Sequence, residues 1–325
     1  MKRRIQSRIP EAAAGSLLLD YLAGRFTYHA SEVWMERIGA QRVLVNGVAA
    51  DAQCALQAGD LVEFVADDIP EPRVNFDVRI VHADDDIMII DKPANLPCHP
   101  AGRYFNHTVW GWLKREHGVE KPAIINRLDR ETSGLLMVAL NPVAESRCRR
   151  QFAARRVAKE YLVLVEGEFP ESAEACGWML ADPDAGTARR RVYRPGGGVE
   201  PAEADWAETR FVRLAMANGV SLVRAAPETG RLHQIRATLC SLGFPVVGDK
   251  VYGVDSGMFG RFCTDALSEE DWRRLRVKRQ ALHASRLEFR HPSDQREVCF
   301  ESPLPDELAE VLRKGVGGNM DIQDG

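Results

Sequence analysis

The chain has 325 residues, of which 45% are hydrophobic and 28% charged, the composition of an ordinary globular protein. No apolar stretch approaches the roughly 18 residues that a membrane-spanning helix needs, and a net charge of −4 argues against a uniformly basic nucleic-acid-binding protein. The seven cysteines are scattered, odd in number and without a Cys-x-x-Cys pair, which indicates reduced thiols in the cytoplasm. The histidines lack metal-ligand spacing, so we expect no metal.

Residues 1–70 are predicted to form a small separate domain. Helices are predicted over Ile9–Leu22 and over Ser31–Ile38, the second with Ser31 as its N-cap. The alternation of Arg42–Val48 leads into an Asn-Gly dipeptide, which is typical of a two-residue β-hairpin turn. Gly59–Val65 is predicted to be a further turn and strand.

A segment rich in proline and acidic residues, Asp67–Pro72, is predicted to be the linker between this domain and residues 71–325. The longer part begins with a hairpin predicted over Val78–Val81 and Ile87–Ile90. Helices are predicted over Thr108–Lys114 and Glu145–Ala154. Further strands are predicted over Leu135–Leu140, Tyr161–Val165, Trp206–Val212, Val220–Ala226, Ala281–Phe289 and Val298–Phe300.

Many strands with few intervening helices indicate an α+β fold with a mixed, largely antiparallel central sheet rather than a doubly wound one. Gly196-Gly197-Gly198 is followed by no helix pattern, so it is predicted to be a loop or hairpin tip and not a phosphate-binding loop. The tail from about residue 313 is expected to be disordered.

Residues 122–140 carry the strongest chemical signal in the chain. Asp129 lies between Arg127 and Arg130 and precedes an apolar run with the length of a buried strand. A carboxylate in a turn that feeds a buried strand is held rigidly, and two flanking guanidinium groups would keep it ionised. Such a carboxylate suits nucleophilic attack on an anionic polymer. Taken alone, Arg-x-Asp-Arg is more typical of a surface ion pair in a loop than of a catalytic site.

This segment resembles the signature Arg-Leu-Asp-x-x-Thr-Ser-Gly-Leu-Leu of the RluA-type RNA pseudouridine synthases. Four other blocks match the same family in the family's order, namely Asp91–Pro100, Lys159–Gly167, Thr229–Arg236 with Gly243–Gly253, and Leu282–Pro303. Three positions depart from the family pattern. Asn126 stands where many members carry His, Leu232 where Thr is frequent, and Asn95 where Gly is common. Asparagine tolerates the left-handed backbone, so we expect that turn to survive and the enzyme to be active.

The resemblance implies an α+β enzyme that converts specific uridines of structured RNA, most simply large-subunit rRNA, to pseudouridine; tRNA is the alternative substrate. The isomerisation involves no redox change, so no cofactor is expected. The resemblance implies Asp129 as the nucleophile, and it leaves open whether Asp129 attacks the ring or the sugar, or acts as a base toward a glycal. Tyr161 is implied to stack on the uracil or carry a proton, and Arg236 to pair with the catalytic carboxylate.

Six further residues are predicted to contact RNA, and Arg127 is implied to hold the RNA after the target base leaves the stack. The other five are Arg130, His233, Gln234, Arg149 and Arg150. Of these, His233 and Gln234 are interpreted first as structural hydrogen-bonding residues, with RNA contact as the second possibility. Arg149 and Arg150 belong to a run of five arginines within residues 147–156, and further clusters lie at Arg189–Arg194 and Arg273–Arg279. Each cluster taken alone is more typical of a solvated helix face.

The N-terminal domain resembles the α-L RNA-binding domain, and it serves either as a weak RNA grip or as a structural cap. The expected partner is RNA, with no membrane and no metal, and the protein is expected to be a monomer. Two other interpretations remain. A catalytically idle RNA-binding or ribosome-assembly factor is disfavoured by the presence of Asp129, Tyr161 and Arg236 together. A carboxylate-dependent hydrolase would need a second acid or a histidine, for which His107 and His233 are candidates.

Overall fold

The computed structural model describes residues 4–26, 29–65, 70–182, 190–197, 200–253, 255 and 257–313. It divides into two compact units, Met1–Arg73 with Pro100–His107, and Val74–His99 with Thr108–Gly325. Several predictions lie outside the described residues: the tail beyond residue 313, the acidic half of the linker at residues 66–69, Arg189 and Gly198.

The segment Pro100–His107 belongs to the first unit, although the sequence boundary near residue 70 assigned it to the catalytic part. The carboxylate of Glu71 accepts hydrogen bonds from the backbone N–H groups of Phe105, Asn106 and His107 at 2.7, 2.9 and 2.8 Å. Because these residues are more than 30 positions from Glu71, no local sequence pattern predicts the contact.

The first unit contains a four-stranded antiparallel sheet in the order β1-β4-β2-β3. Its elements are β1 (Arg4–Arg8), α1 (Leu18–Arg25), α2 (Ser31–Gly39), β2 (Val43–Val45), β3 (Val48–Ala49) and β4 (Leu61–Val65). The predicted hairpin is confirmed, because Asn46 and Gly47 have φ angles of 51° and 81°, as a type I′ turn requires. The sheet and helices pack around the fully buried Trp34, whose ring meets Phe64 edge-on at 4.8 Å.

Two details predicted for this unit are wrong. The helix predicted over Ile9–Leu22 is a single 3-10 turn at Glu11–Ala13 followed by α1, because Gly15 adopts a φ of +84° that no α-helix contains. Ser31 does not cap α2, since the capping position is Ala30 and no side chain bonds the first turn.

The second unit is built on one large sheet, with the strand order β11-β10-β12-β13-β9-β14-β8-β6-β5. Its strands are β5 (Arg79–Ala83), β6 (Ile87–Lys92), β7 (Ala123–Ile124), β8 (Ser133–Ala139), β9 (Ala158–Glu166), β10 (Ser172–Ala181), β11 (Arg191–Pro195), β12 (Asp205–Ala217), β13 (Val220–Pro227), β14 (Leu282–Arg290) and β15 (Glu297–Glu301). Its helices are α3 (Val109–Glu116), α4 (Pro142–Ala153), α5 (Gln234–Ser241), α6 (Met258–Cys263), α7 (Glu269–Leu275) and α8 (Asp306–Arg313). None of the described helices combines the length and apolar character that a bilayer span requires.

The predicted α+β fold with a largely antiparallel sheet is confirmed. Among the described strands, β8 and β14 pair in parallel, at Ser133 with His283 and at Gly134 with Ala284, while the other pairs are antiparallel. Every residue of β8 is buried, as its continuous apolar run predicted.

Gly134 makes this parallel pairing feasible. It has a φ of +109°, and a Cβ atom at this position would lie 2.3 Å from the carbonyl oxygen of Ala284. The resulting close approach of two backbones brings the turn before β8 next to the segment before β14. Residues from these two segments meet in the candidate active site.

Candidate active site

The turn that carries Asp129 is held by the buried end of β6. The Nζ of Lys92, which is fully buried, donates to the carbonyls of Pro93, Leu96 and Arg130 at 2.8, 2.9 and 3.2 Å. The backbone N–H of Leu96 donates to the same Arg130 carbonyl at 3.1 Å. Burial lowers the pKa of Lys92 to about 8, so at neutral pH the ammonium group is still mostly charged and holds the three carbonyls.

The residues just before Asp129 are fixed as well. Asn126 accepts the backbone N–H of Met137 through Oδ1 at 2.8 Å and donates from Nδ2 to the Leu135 carbonyl at 3.3 Å. The thiol of Cys98 donates to the Leu128 carbonyl at 3.3 Å. The asparagine that departs from the family pattern therefore still ties this segment to β8. Asn95 adopts a φ of 57°, so the turn expected to survive there does so.

Three side chains from distant segments surround the Asp129 carboxylate. Arg236, on α5, donates from Nη1 to Oδ2 at 2.7 Å, and Gln280 donates from Nε2 to the same oxygen at 3.3 Å. His233 lies on the other side, with its Nε2 3.8 Å from Oδ1. Burial would raise the pKa of Asp129, but the charge and hydrogen bond of Arg236, together with His233 and the hydrogen bond from Gln280, hold the pKa below its usual range.

The pairing of Arg236 with Asp129 is the one implied by the family resemblance. The physical reason first given for the charge of Asp129 was wrong, however. Arg127 is exposed, and Arg130 pairs with Glu131 at 3.1 Å, so the partner of the carboxylate is a cation 107 positions further along the chain.

Arg236 is itself held by a second carboxylate, Asp249. Its Nε and Nη2 donate to Oδ2 and Oδ1 of Asp249 at 2.6 and 2.8 Å. Asp249 is completely buried and also accepts the backbone N–H groups of Val251 and Tyr252 at 2.9 and 3.0 Å. Burial alone would lower the pKa of Arg236, but Asp249 and then Asp129 raise it above its usual range. The guanidinium is therefore a permanently charged bridge between two carboxylates.

His233 is uncharged at neutral pH, and its Nε2 faces Asp129. It precedes α5 in the left-handed conformation, with a φ of 56°, which is uncommon for a residue with a side chain. Burial lowers its pKa to about 4. Its Nδ1 lies 3.0 Å from the Tyr252 hydroxyl, whose oxygen accepts the backbone N–H of Arg191 at 2.8 Å. The Tyr252 hydroxyl therefore links the His233 ring to the backbone of Arg191.

Tyr161 lies on β9 between Ala225 of β13 and Ala284 of β14, and its ring packs against the buried cores on both sides. Burial, with Asp129 and Cys98 as further causes, raises the pKa of its hydroxyl to about 12. The phenol is therefore protonated at neutral pH. It offers a flat apolar face and a hydroxyl group near Asp129, but no phenolate.

The exposed arginines predicted to contact RNA fall into one region. Arg127, Arg149 and Arg150 are exposed. Burial and then the positive charges of Arg127 and Arg149 lower the pKa of His99, which places both arginines near that ring. The Nε of Arg149 also bonds Glu145 on the same helix at 2.8 Å, one turn away.

Gln234 is a structural hydrogen-bonding residue, the first of the two roles predicted for it. Its side chain is buried, and Oε1 accepts the hydroxyl of Thr229 at 2.8 Å and the backbone N–H of Arg231 at 2.9 Å. Its Nε2 donates to the carbonyl of Glu208 and the hydroxyl of Thr209. All the hydrogen-bonding capacity of the amide is used inside the protein, which argues against contact with RNA.

A group of potential metal ligands lies elsewhere in the described part of the chain, at Asp84, Asp86 and His291. Its side chains already have hydrogen-bond partners. Asp84 Oδ2 accepts from His82 at 2.8 Å and from His291 at 3.0 Å, and the Asp86 carboxylate accepts from Asn141 and Ser293. Asp84 Oδ1 accepts two backbone N–H groups of the β5–β6 turn. The group therefore acts as a structural link between that turn and the segment after β14.

Sequence reasoning missed Asp249, Gln280 and Tyr252. Asp249 and Tyr252 lie within the quoted block Gly243–Gly253, where the glycine before Asp249 was the available signal of a tight turn beside a functional side chain. Gln280 lies just before the last block, and it bonds both Asp129 and the hydroxyl of Thr132. Nothing in its neighbourhood in the sequence indicates that contact.

Comparisons with family models, curated proteins and solved structures all find RNA pseudouridine synthases. The family described as RNA pseudouridylate synthase matches residues 86–241, a range that contains Asp129, Tyr161 and Arg236. The chain is similar to ribosomal large subunit pseudouridine synthase D of Nitrosomonas europaea, at 31% identity over 320 residues, which cover 95% of this chain and 87% of that relative.

The chain is also similar to the mitochondrial tRNA pseudouridine(32) synthase of Saccharomyces cerevisiae, at 34% identity over 239 residues. That match covers 73% of this chain and only 50% of the yeast protein. Among solved structures, human RNA pseudouridylate synthase domain containing 1 matches with a TM-score of 0.57 and 29% identity, over 74% of this chain and 90% of that one.

Proposed function

This chain belongs to the RluA-type RNA pseudouridine synthases, and we propose that it isomerises specific uridines of large-subunit rRNA with Asp129 as the reacting carboxylate. The observation that carries the proposal is the contact of Asp129 with Arg236 at 2.7 Å, inside the matched region and beside Tyr161. An ionised carboxylate held by a buried cation is ready to act without first losing a proton.

The reaction leaves the atomic composition of the nucleotide unchanged. The bond between N1 of uracil and C1′ of ribose breaks, the base turns, and a bond forms between C5 and C1′. The hydrogen on C5 leaves as a proton, and N1 takes up a proton. No electron donor or acceptor takes part, so we propose an enzyme without a cofactor or metal.

Each central residue has a proposed role in this sequence of steps. Asp129 supplies the carboxylate oxygen that attacks the ring or the sugar. Tyr161 provides the face on which uracil stacks, and its protonated hydroxyl relays the C5 proton to water, giving up its own proton as it takes up that one. Arg236 holds Asp129 in place and keeps its carboxylate ionised. Arg127, Arg149 and Arg150 are the exposed cations proposed to contact RNA phosphates.

The choice of large-subunit rRNA rests on the extent of similarity. The ribosomal relative matches 95% of this chain, which includes most of the N-terminal unit. The yeast tRNA enzyme is slightly more identical but matches a smaller part of the chain, which makes tRNA the second candidate substrate. We further propose a monomeric cytoplasmic enzyme, in keeping with its seven free cysteines.

The test is a map of pseudouridine in the rRNA and tRNA of host cells that carry only the Asp129→Asn variant, compared with cells carrying the natural protein. We expect the loss of one or a few defined sites in large-subunit rRNA. Asp77→Asn, which changes an exposed aspartate, is the control and is expected to leave the map intact.

Loss of sites in tRNA alone would overturn the proposed target and select the second candidate. An unchanged map in the presence of folded Asp129→Asn protein would overturn the catalytic proposal in favour of an idle RNA-binding factor.

A further inference from the structure

We propose that Asp249 is a positioning residue that determines which oxygen of Asp129 reacts. By occupying one edge of the Arg236 guanidinium, Asp249 leaves a single nitrogen for Asp129, so that Oδ2 is held and Oδ1 is free to form the bond to the substrate. This inference rests on the proposed function, in which Asp129 is the reacting carboxylate.

One edge of the Arg236 guanidinium is already occupied by Asp249. An arginine and a carboxylate usually join through two parallel hydrogen bonds, which engage both carboxylate oxygens. Here the edge formed by Nε and Nη2 of Arg236 is filled by Asp249, at 2.6 and 2.8 Å. The contact with Asp129 is therefore made end-on, through Nη1 alone.

The hydrogen bonds of the Asp129 carboxylate are asymmetric. Both hydrogen bonds that it accepts from side chains, from Arg236 and from Gln280, end on Oδ2. Nε2 of His233 lies 3.8 Å from Oδ1, which is beyond hydrogen-bonding distance. No side chain in the described part of the chain bonds Oδ1, and its lone pairs are available for reaction.

Asp249 is held rigidly. Its side chain is completely buried, and Oδ1 accepts two backbone N–H groups from Val251 and Tyr252. The preceding residue, Gly248, has a φ of +74° and passes so close to Arg279 that a Cβ atom would lie 2.0 Å from its carbonyl oxygen. The position of Arg236 is thus set by a tightly packed backbone turn and not by Asp129.

With one hydrogen bond from Arg236, the Asp129 carboxylate also keeps more of its negative charge than it would in a two-bond fork. One cation serves two carboxylates, because His233 is neutral, with a pKa lowered by burial to about 4. A carboxylate held in a two-bond fork would be neutralised on both oxygens and would be a weaker nucleophile. Sharing Arg236 with Asp249 therefore orients the carboxylate while leaving one of its oxygens reactive.

The test is the variant Asp249→Asn, which keeps the shape of the side chain but turns one hydrogen-bond acceptor toward Arg236 into a donor. Arg236 is then released to engage both oxygens of Asp129. We expect kcat to fall by about 100-fold, the effect of displacing a reacting group by about 1 Å, and KM to stay within about twofold. Asp249→Ser, which leaves room for a water molecule, is the second variant and is expected to lose kcat likewise.

The assay uses large-subunit rRNA from cells lacking this protein, labelled with tritium at C5 of uridine, because formation of the C5–C1′ bond releases that hydrogen to water. Initial rates of tritium release against RNA concentration separate kcat from KM. Each variant is assayed well below its own melting temperature, measured by circular dichroism.

Asp271→Asn is the matched control, since Asp271 is held in the same kind of fork by Arg261 and also bonds a backbone N–H group. It is expected to keep the natural kcat. The inference is overturned if Asp249→Asn and Asp249→Ser keep kcat within about threefold, if they change KM instead, or if Asp271→Asn loses as much. Absence of tritium release by the natural protein would overturn the proposed function and this inference with it, whereas equal release by all proteins overturns the inference alone.

Discussion

Two arginine–aspartate forks of the same geometry lie in the second unit and serve different purposes. Arg236 donates through Nε and Nη2 to Asp249 at 2.6 and 2.8 Å, and Arg261 donates through the same atoms to Asp271 at 3.0 and 2.6 Å. The side chain of Arg236 is 6% exposed and that of Arg261 is 36% exposed.

The difference lies in what else each fork touches. Asp271 forms a capping box with Ser268 at the start of α7, and Arg261 also reaches Asp255 at 2.8 Å, so this fork secures a helix terminus at the surface. Arg236 instead reaches Asp129 in the protein interior. The same pair of side chains is thus a structural joint in one place and part of the proposed catalytic centre in the other, and the third partner together with burial makes the distinction.

The largest expected difference between the forks is in catalysis. Arg236→Lys should lower kcat by at least about 100-fold, because a single ammonium group cannot bond Asp249 through two parallel contacts and reach Asp129 as well. Arg261→Lys should leave kcat unchanged and cause only a small loss of thermal stability. Tritium release and thermal melting of both variants measure the two effects. Equal kcat losses in both would show that the forks are not functionally distinct.

The next difference is in the glycines that precede one member of each fork. Gly248→Ala should lower the free energy of unfolding by about 3 kcal/mol, because the new methyl group meets the Arg279 carbonyl and the backbone has positive φ. Gly260→Ala meets no atom within 4 Å and lies inside α6, so it should raise the free energy of unfolding by about 0.5–1 kcal/mol. Urea denaturation of the two proteins measures both, and a stable Gly248→Ala protein would contradict the rigidity ascribed to the Asp249 turn.

A third difference is the dependence of stability on pH that His233 brings to the first fork. Its folded-state pKa is about 4, against an ordinary value of 6.5, so the unfolded chain takes up a proton between these values that the folded protein does not. Unfolding is therefore favoured as the pH falls through this window, by about 2 kcal/mol between pH 7 and pH 5.

His233→Asn should remove that part of the pH dependence. The free energy of unfolding, measured in urea at both pH values, should then fall less on acidification than in the natural protein. An unaltered pH dependence in His233→Asn would mean that the imidazole is not held neutral.

Features with local causes could be predicted from the sequence. The Asn46-Gly47 turn, the buried strand β8 and the helix that follows Thr108 depend on neighbouring residues, and the structure has all three. Thr108 indeed caps α3 by accepting the backbone N–H of Gly111. Ser31 shows the limit of such reasoning, since a suitable residue at a helix start does not by itself make a cap.

The candidate site could be predicted only in part. The family resemblance of the motif that contains Asp129 also predicted Tyr161 and Arg236. The arginines next to Asp129 in the sequence, Arg127 and Arg130, were however the wrong partners for its charge. Asp249 and Gln280 contribute through contacts that the fold creates between distant segments. A hydrogen bond of this kind depends on strand order and on close backbone approaches such as that at Gly134, which no local pattern encodes.

The pairing of β8 with β14 also sets when the catalytic centre can come into being. Gln280 lies 151 positions beyond Asp129, and Arg236 lies 107 positions beyond it. On a ribosome that adds about 5–20 residues per second, Gln280 is synthesised roughly 8–30 s after Asp129. Until then β8 is paired only with β6 and β7, and the Asp129 carboxylate lacks Gln280, so we expect a nascent chain to be inert toward the RNA around it.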